Sequence, residues 1–309
     1  MERVDTPASL PARPSAGHKG TFGTALIVGG CAQATRMIGA PALAAVAAAR
    51  AGAGLTRVLA PEPIINEILG IAAHATGVAV ACDAGGMMDA QAAITAFDGQ
   101  LEACQAIAIG PGLGLDATTR ALAMRAAGQQ RVAAVMDADA LNALAEAREY
   151  WLDLRGQLIL TPHPGEFRRL AAPLGITFDP TKADARADAA GEMARRLGAI
   201  VVLKGARTVV SDGQRVWTSD AAHACLATGG TGDVLAGLIA GLVAQHPPSP
   251  LPAMTGPARG PGLFDLACIA VEAHARAAAA WTQQHGADAG LLPMELADLL
   301  PAAVASLRA

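Results

Sequence analysis

The sequence predicts an α/β fold in which a mostly parallel sheet carries helices on both faces. Short apolar runs alternate with Ala-rich segments of helix length six or more times along the chain. Glycine-rich or polar loops follow several of the apolar runs, at Gly29, Gly110, Asp137 and Thr161. Because parallel strands end at one edge of their sheet, where ligands bind in such folds, these loops should meet at one site.

The apolar runs and the turn residues beside them predict the elements in order. Pro41 is tolerated in the first turn of the first helix, and Asp116 should cap the fourth. Strands are predicted at residues 24–28, 55–60, 77–81, 106–109, 132–136, 157–160 and 199–203, followed by antiparallel strands at 208–210 and 215–218. Helices are predicted at residues 39–52, 64–72, 89–104, 116–127, 140–146, 184–197, 234–243, 263–281 and 293–307, with one more opening after the Thr161 loop.

Two segments lie outside this alternation. Residues 1–16 contain Pro7, Pro11 and Pro14 and no periodicity, which predicts a flexible N-terminal arm. The proline-rich residues 246–262 are expected to form a surface loop between helices. Residues 17–309 are predicted to form a single domain, because no linker divides the core.

Composition and charge limit the possible functions. The 309 residues are 52% hydrophobic and 16% charged, which provides ample material for a buried core. A net charge of −4 gives no basic surface of the kind that binds nucleic acid. We predict no signal peptide and no helix of membrane-spanning length. The five cysteines lack metal-ligand spacing, which fits the reduced thiols of a cytoplasmic protein.

The stretch Thr228–Gly237 is the strongest indication of a functional site. Three glycines and Thr231 stand directly before an apolar helix, so backbone N–H groups should face outward at the positive end of the helix dipole. This arrangement suits a phosphate. Asp233 is unusual there, because a carboxylate repels phosphate unless it has a role. It either caps the helix or acts as a general base that takes a proton from an attacking hydroxyl beside a nucleotide.

Several other residues allow both a functional and a structural interpretation. His163 lies between two prolines and is either a ligand-binding residue or a surface or packing residue. Lys204 follows an apolar strand and is either a binding residue or a solvated charge at a turn. Asp137 and Asp139 could cap the next helix or contribute to a Mg²⁺ site. The glycines of residues 110–114 could serve only to turn the chain.

Seven short motifs occur in an order that is similar to one enzyme family. They are Lys19–Gly23, Gly39–Ala40, Gly110–Gly114, Asp137–Asn142, Thr161–Glu166, Lys204–Thr208 and Gly229–Asp233. Together they resemble the ADP- or ATP-dependent NAD(P)H-hydrate dehydratases, repair enzymes of ribokinase-like fold, over roughly residues 17–300. One departure is Cys31, where a serine is expected, and a thiol is the poorer hydrogen-bond donor. Residues 246–262 also look like an insertion.

The resemblance implies roles for individual residues. Asp233 would be the catalytic base and would also contact the substrate. Ala40, Gly114 and His163 would line the site of the hydrated nicotinamide nucleotide. The adenine nucleotide would be held by two segments, formed by Lys204, Gly205, Ala206, Arg207 and Thr208 and by Gly229, Gly230, Thr231 and Gly232.

The resemblance also implies a reaction, the dehydration of the S epimer of hydrated NADH or NADPH. ADP or ATP would phosphorylate the C6 hydroxyl, and loss of phosphate and of a C5 proton would restore the ring. Mg²⁺ would neutralise the donor's phosphates, with phosphate oxygens and water as its main ligands. Relatives suggest a homotetramer, and a separate NAD(P)H-hydrate epimerase is an expected functional partner. The absence of a fused epimerase domain favours ADP, but the choice of donor stays open.

Two alternatives remain from the sequence. A kinase of the same fold could phosphorylate a vitamin-precursor alcohol with the same anion site and Asp233. The loop Thr161–Glu166 and the turn Lys204–Thr208 favour the dehydratase. A nucleotide-binding sensor could retain the pocket without turnover, but Asp233 in an intact glycine frame argues against this.

Overall fold

A ten-stranded sheet forms the centre of the protein in a computed structural model that describes residues 1–248 and 260–309. The strands are β1 (Glu2–Arg3), β2 (Thr24–Val28), β3 (Leu55–Pro61), β4 (Thr76–Val80), β5 (Ala106–Ile109), β6 (Ala133–Met136), β7 (Leu158–Leu160), β8 (Ile200–Leu203), β9 (Val209–Ser211) and β10 (Arg215–Thr218). Their order is β1-β10-β9-β8-β7-β6-β5-β2-β3-β4. β9 is antiparallel to β8 and to β10, and the other pairs of described strands are parallel. The predicted antiparallel strands are therefore confirmed.

Helices cover both faces of this sheet. They are α1 (Gly39–Ala51), α2 (Ile65–Ile71), α3 (Ala90–Asp98), α4 (Ala117–Gly128), α5 (Asp139–Glu146), α6 (Pro164–Leu174), α7 (Arg186–Leu197), α8 (Thr231–Gln245), α9 (Leu263–His285) and α10 (Pro293–Ala305). In β2, Ala25 and Ile27 enter one core with α1, α8, α9 and α10, whereas Leu26 and Val28 enter another with α3 to α7. Strands buried on both faces form continuous apolar runs. The predicted α/β class is confirmed.

The packing of α8 on α1 determines where the first turn of α8 lies. A Cβ atom placed on Gly237 would lie 2.1 Å from the carbonyl oxygen of Ala44, and one on Gly241 would lie 2.5 Å from that of Ala48. Only glycine permits so close an approach of two helix backbones. Both pairs advance by one turn in the same direction, so the helices run parallel and begin at the same end of the sheet.

Of the two segments outside the predicted alternation, the structure describes the first in full and the second only in part. Within residues 1–16, β1 pairs with β10 at the sheet edge, and Leu10 is fully buried and bonds to the backbone of Leu307 and Ala309. The division of the chain at residue 16 stays a prediction. Most of the proline-rich loop predicted at residues 246–262 lies outside the described residues. None of the described helices is long and apolar enough to cross a membrane.

Candidate active site

The loops that follow the central strands meet at one edge of the sheet. A Cβ atom on Gly29 would lie 2.2 Å from the carbonyl oxygen of Pro111, and one on Gly110 would lie 1.8 Å from that of Asp137. The hydroxyl of Thr161 donates to Asp137 Oδ1 at 2.6 Å. The loops therefore touch, as the parallel arrangement of the strands predicts.

The first turn of α8 forms an anion-binding arrangement at this edge. Its N-cap is Gly230, at φ 99°, and no side chain in the described structure caps the helix. The N–H groups of Gly232 and Asp233 therefore have no side-chain acceptor and are available to a ligand. The ammonium of Lys204 lies 3.5 Å from the position of a Cβ atom on Gly232. Helix dipole and ammonium together favour a phosphate.

The carboxyl group of Asp233 has no hydrogen-bond or ion-pair partner in the described part of the chain. The alternative in which it caps its own helix is therefore wrong. Burial raises the pKa of Asp233 to about 7, and the negative charges of Asp137 and Asp139 act in the same direction. A carboxyl group with a pKa near the working pH is well suited to general base catalysis.

Lys204 is held by two buried carboxylates. Its Nζ lies 2.5 Å from Asp137 Oδ1 and 3.9 Å from Glu166 Oε2, and its side chain is 18% exposed. Burial alone would lower the pKa of Lys204, but Asp137 and Glu166 outweigh that effect and raise it. Burial raises the pKa of Glu166 to about 7. The interpretation of Lys204 as a solvated surface charge is therefore wrong, and it enters the site as a fixed cation.

His163 is the N-cap of α6. Its Nδ1 accepts the N–H of Gly165 at 2.9 Å, and Glu166 Oε2 accepts the backbone N–H of His163 at 2.8 Å. This reciprocal pair is a capping box. Because Nδ1 accepts, the proton of the neutral ring sits on Nε2, 3.4 Å from Glu166 Oε1. Half of the side chain is exposed, so capping leaves room for the substrate contact that stays a prediction.

Ala40 lies in the first turn of α1, and Gly114 lies in the loop that follows β5. Because α8 and α1 run parallel and pack at Gly237 and Ala44, the first turn of α8 with Asp233 lies at the same end of the helix pair as Ala40. A Cβ atom on Gly114 would lie 3.2 Å from Cys31 Sγ, and the residue adopts φ 80°. The Gly114 position therefore needs glycine both for its backbone conformation and for the close approach of the Cys31 thiol.

A cavity of about 500 Å³ opens from the anion-binding turn. Its far wall is mainly apolar and includes Leu226, Leu235 and Val271. Six of the residues predicted to hold the adenine nucleotide line it, namely Lys204, Gly205, Ala206, Thr208, Thr231 and Gly232. Arg207 does not line this cavity, and its guanidinium bonds to Asp220 instead. Gly229 and Gly230 are also absent from its wall, and they shape the turn that precedes Thr231.

Three residues of the site have contacts that sequence reasoning did not predict. Of the two interpretations left open for Asp137 and Asp139, capping of α5 is wrong, because its N-cap is Ala138 without a side-chain hydrogen bond. Asp139 Oδ2 instead accepts the N–H of Gly114 at 2.8 Å. His274, inside the apolar helix α9, gives no signal in the sequence. Its Nε2 lies 3.0 Å from the carbonyl oxygen of Thr231, and burial lowers its pKa to about 4, so the neutral ring donates.

The described residues contain no group of three or more His, Cys, Asp or Glu side chains arranged to hold a metal ion. Asp137 and Glu166 are already paired with Lys204. A Mg²⁺ ion would therefore fit this site only together with a nucleotide, whose phosphate oxygens and water would supply most of its ligands.

Comparisons with known proteins show the family to which this chain is similar. The model of the NAD(P)H-hydrate dehydratase family matches residues 25–302. An ADP-dependent (S)-NAD(P)H-hydrate dehydratase from Bacillus subtilis (strain 168) is 36% identical over 304 residues, which cover 95% of this chain and 93% of that protein. Other curated relatives are bifunctional NAD(P)H-hydrate repair enzymes, and the chain spans about half of their length.

Two solved structures are similar along almost the whole chain. One is an ADP/ATP-dependent NAD(P)H-hydrate dehydratase from Bacillus subtilis, co-crystallized with ATP and Mg²⁺. It is 29% identical, has a TM-score of 0.75, and aligns over 97% of this chain and 95% of that chain. The other is a ribokinase-like superfamily protein from Enterococcus faecalis V583, 24% identical, with a TM-score of 0.73 over 97% of this chain and 93% of that chain. The expected ribokinase-like fold is confirmed.

Proposed function

This chain belongs to the NAD(P)H-hydrate dehydratase family, and we propose that it dehydrates the S epimer of hydrated NADH or NADPH at the expense of ADP or ATP. One observation carries the proposal. The carboxyl of Asp233 has no partner among the described residues and a pKa of about 7, and it belongs to the anion-binding turn of α8, which packs alongside the helix α1 that carries Ala40 in its first turn. A proton acceptor at that position can connect a phosphoryl donor with a substrate hydroxyl.

The proposed reaction begins with phosphoryl transfer to the substrate. Asp233 takes the proton of the C6 hydroxyl as its oxygen attacks the terminal phosphorus of the nucleotide. Lys204 and the N–H groups at the start of α8 stabilise the negative charge on the phosphoryl oxygens. Hydroxide is a poor leaving group and phosphate a good one, so the transfer prepares C6 for elimination.

Elimination then restores the nicotinamide ring. The lone pair on the ring nitrogen assists departure of phosphate from C6, and loss of a C5 proton forms the ring double bond. The apolar wall near Leu235 and Val271 suits an adenine base, and the Lys204–Thr208 turn borders the same cavity. We assign these residues to the nucleotide, and Ala40, Gly114 and His163 to the hydrate.

Further properties belong to the same proposal. Mg²⁺ would neutralise part of the phosphate charge when it arrives with the nucleotide. The described carboxylates of the site would not form a separate metal-binding site. The bifunctional repair enzymes among the relatives support functional pairing with an epimerase. The five free thiols are consistent with a cytoplasmic location. We also retain the homotetramer as a proposal.

The decisive experiment measures restoration of the nicotinamide ring by the purified chain. The purified chain is incubated with S-hydrated NADH and with ADP or ATP in separate reactions, and the absorbance of the restored dihydronicotinamide is followed. We expect restoration that requires a nucleotide. A stable phosphorylated product without ring restoration would identify a kinase, and nucleotide binding without any turnover would identify a sensor.

A further inference from the structure

The proposed reaction removes two protons from the substrate in each turnover. The first leaves the C6 hydroxyl during phosphoryl transfer, and the second leaves C5 when the double bond re-forms. Asp233 suits the first step, and with a pKa of about 7 its carboxyl retains that proton while phosphate lies beside it. A second proton acceptor in the site would allow the C5 proton to leave before Asp233 is regenerated.

Ion pairs divide four neighbouring carboxyl groups of the site into two kinds. Asp137 and Glu166 face the ammonium of Lys204, at 2.5 Å and 3.9 Å. Asp233 and Asp139 have no ion pair with any described residue. Both oxygens of Glu166 also have partners in His163, whose backbone N–H lies 2.8 Å from Oε2 and whose Nε2 lies 3.4 Å from Oε1. The second acceptor is therefore to be sought in Asp139.

Asp139 lies on the substrate side of the site. Its Oδ2 accepts the N–H of Gly114 at 2.8 Å, whereas Asp233 follows the nucleotide-side residue Gly232. Its Oδ1 has no hydrogen-bond partner among the described residues, and its side chain is only partly buried. One oxygen is thus fixed by the substrate loop, and the other is available to a ligand.

The backbone next to Asp139 is strained. Ala138 adopts φ 47° and ψ −117°, a conformation that a residue with a Cβ atom rarely takes. Strain of this kind is concentrated at functional sites. Here it separates two carboxylates of one short segment, since Asp137 bonds to Lys204 and Asp139 bonds to the Gly114 loop.

We propose that Asp139 is the second base of the reaction and takes the C5 proton. This inference rests on the dehydratase function proposed above. The C6–O bond breaks as the N1 lone pair forms an N1=C6 bond, and phosphate leaves with the bonding electrons. Asp139 takes the proton from C5, the C5–H electrons form C5=C6, and the N1=C6 electrons return to nitrogen. The proton then passes from Asp139 to solvent, and no oxidant or reductant is consumed.

The test separates nucleotide consumption from ring restoration. Asp139→Asn keeps an oxygen that can accept the N–H of Gly114 but cannot take a proton. In a single turnover we expect phosphoryl transfer within about threefold of wild type and restoration of dihydronicotinamide slowed about 100-fold or more. The phosphorylated hydrate should therefore accumulate before the ring is restored, and deuterium at C5 should slow restoration further.

Two outcomes would overturn the inference. One is an Asp139→Asn variant in which the ring is restored as quickly after phosphoryl transfer as in wild type, or in which phosphoryl transfer is slowed as much as restoration. Asp139→Glu retains the carboxylate at a shifted position and serves if the Asn variant does not fold. The other contradicting outcome is a C5 isotope effect on ring restoration that is the same in Asp139→Glu as in wild type. Asp188→Asn, an exposed acid in the first turn of α7, is the matched control and should behave as wild type. Failure of wild-type protein to restore the ring would instead reject the proposed function.

Discussion

The ammonium of Lys204 lies 2.5 Å from Asp137 Oδ1, and these two residues are 67 positions apart in the chain. The pair joins the end of β8 to the end of β6 and leaves the Lys204 ammonium close to the first turn of α8. Asp137 is 2% exposed, so its carboxylate depends on this cation for compensation of its charge. The same lysine therefore supports the fold and faces the nucleotide.

Lys204→Met should weaken nucleotide binding and also destabilise the protein. The substitution removes a positive charge from the anion-binding turn and leaves Asp137 buried without a cation. Breaking a buried pair typically costs about 3–5 kcal/mol, and protonation of the carboxyl would reduce that loss. Calorimetry with ADP and ATP measures the affinity, and denaturant unfolding measures the free energy of unfolding.

Lys182→Met is the matched control for Lys204→Met, because Lys182 is exposed. It should leave both quantities near wild type. Unchanged ADP and ATP affinity in folded Lys204→Met would remove Lys204 from the nucleotide site.

Apolar patterning predicted most of the sheet, but it did not predict the pairing of the site's charges. Strands such as β5 and β8 are buried on both faces, so they are continuous apolar runs that the sequence displays directly. β1 has only two residues, Glu2–Arg3, and owes its place to pairing with β10 rather than to an apolar run. Pairing of this kind depends on residues distant in the chain and leaves no local pattern.

The glycine turn before α8 was recognisable because a phosphate site at a helix N-terminus needs a local pattern. The contacts of Asp139 with Gly114 and of His274 with Thr231 were not, since each joins two elements that are distant in the chain. Local sequence thus indicated the anion-binding turn and Asp233. The ion pair of Lys204 with Asp137 and the hydrogen bond from Gly114 to Asp139 became visible only in three dimensions.

His163→Ala and His163→Asn should separate the capping role from the substrate role. The alanine variant loses the capping box and should be less stable by about 1 kcal/mol. Asparagine is among the best N-caps, so the second variant should retain stability while it lacks the imidazole. If the ring contacts the hydrate, both variants raise KM for the hydrate and leave nucleotide affinity near wild type. A normal KM in His163→Asn would limit His163 to capping.

Activity should rise with pH and level off above about pH 7. Asp233 must be ionised to take a proton, and burial raises its pKa to about 7. The pH profile of kcat/KM, which reports the free enzyme, should therefore show an acidic limb with a midpoint near that value. A flat profile between about pH 5 and pH 8 would contradict the assignment of Asp233 as the base.

Protein stability should follow the opposite trend in the same range. Asp233 and Glu166 both have a folded-state pKa of about 7, above the unfolded values near 4. The folded state therefore binds more protons than the unfolded state between about pH 4 and pH 7. The contribution of these groups is fully present below about pH 4 and is lost as the pH rises through 7. Denaturant unfolding of wild type and Glu166→Gln across this range measures it, and the variant should show the smaller loss.

Asp233→Asn is the variant on which the catalytic assignment depends. Asparagine has nearly the same size as aspartate, but it cannot accept the hydroxyl proton, so kcat should fall by about 10²–10⁴-fold. Nucleotide affinity should hold or increase, because a negative charge beside the phosphates is removed. Stability should change little, since the carboxyl of Asp233 makes no hydrogen bond or ion pair in the described structure that the substitution would break.

The measurements for Asp233→Asn are single-turnover kinetics, calorimetry with ADP or ATP and thermal unfolding. Asp188→Asn again provides the control for loss of an acid from the first turn of a helix. A folded, nucleotide-binding and inactive Asp233→Asn protein would support a base at this position, because folding and nucleotide binding are both preserved in it. Turnover within a few-fold of wild type would remove Asp233 from catalysis. The anion-binding turn would then serve binding alone, which is the behaviour of a nucleotide sensor.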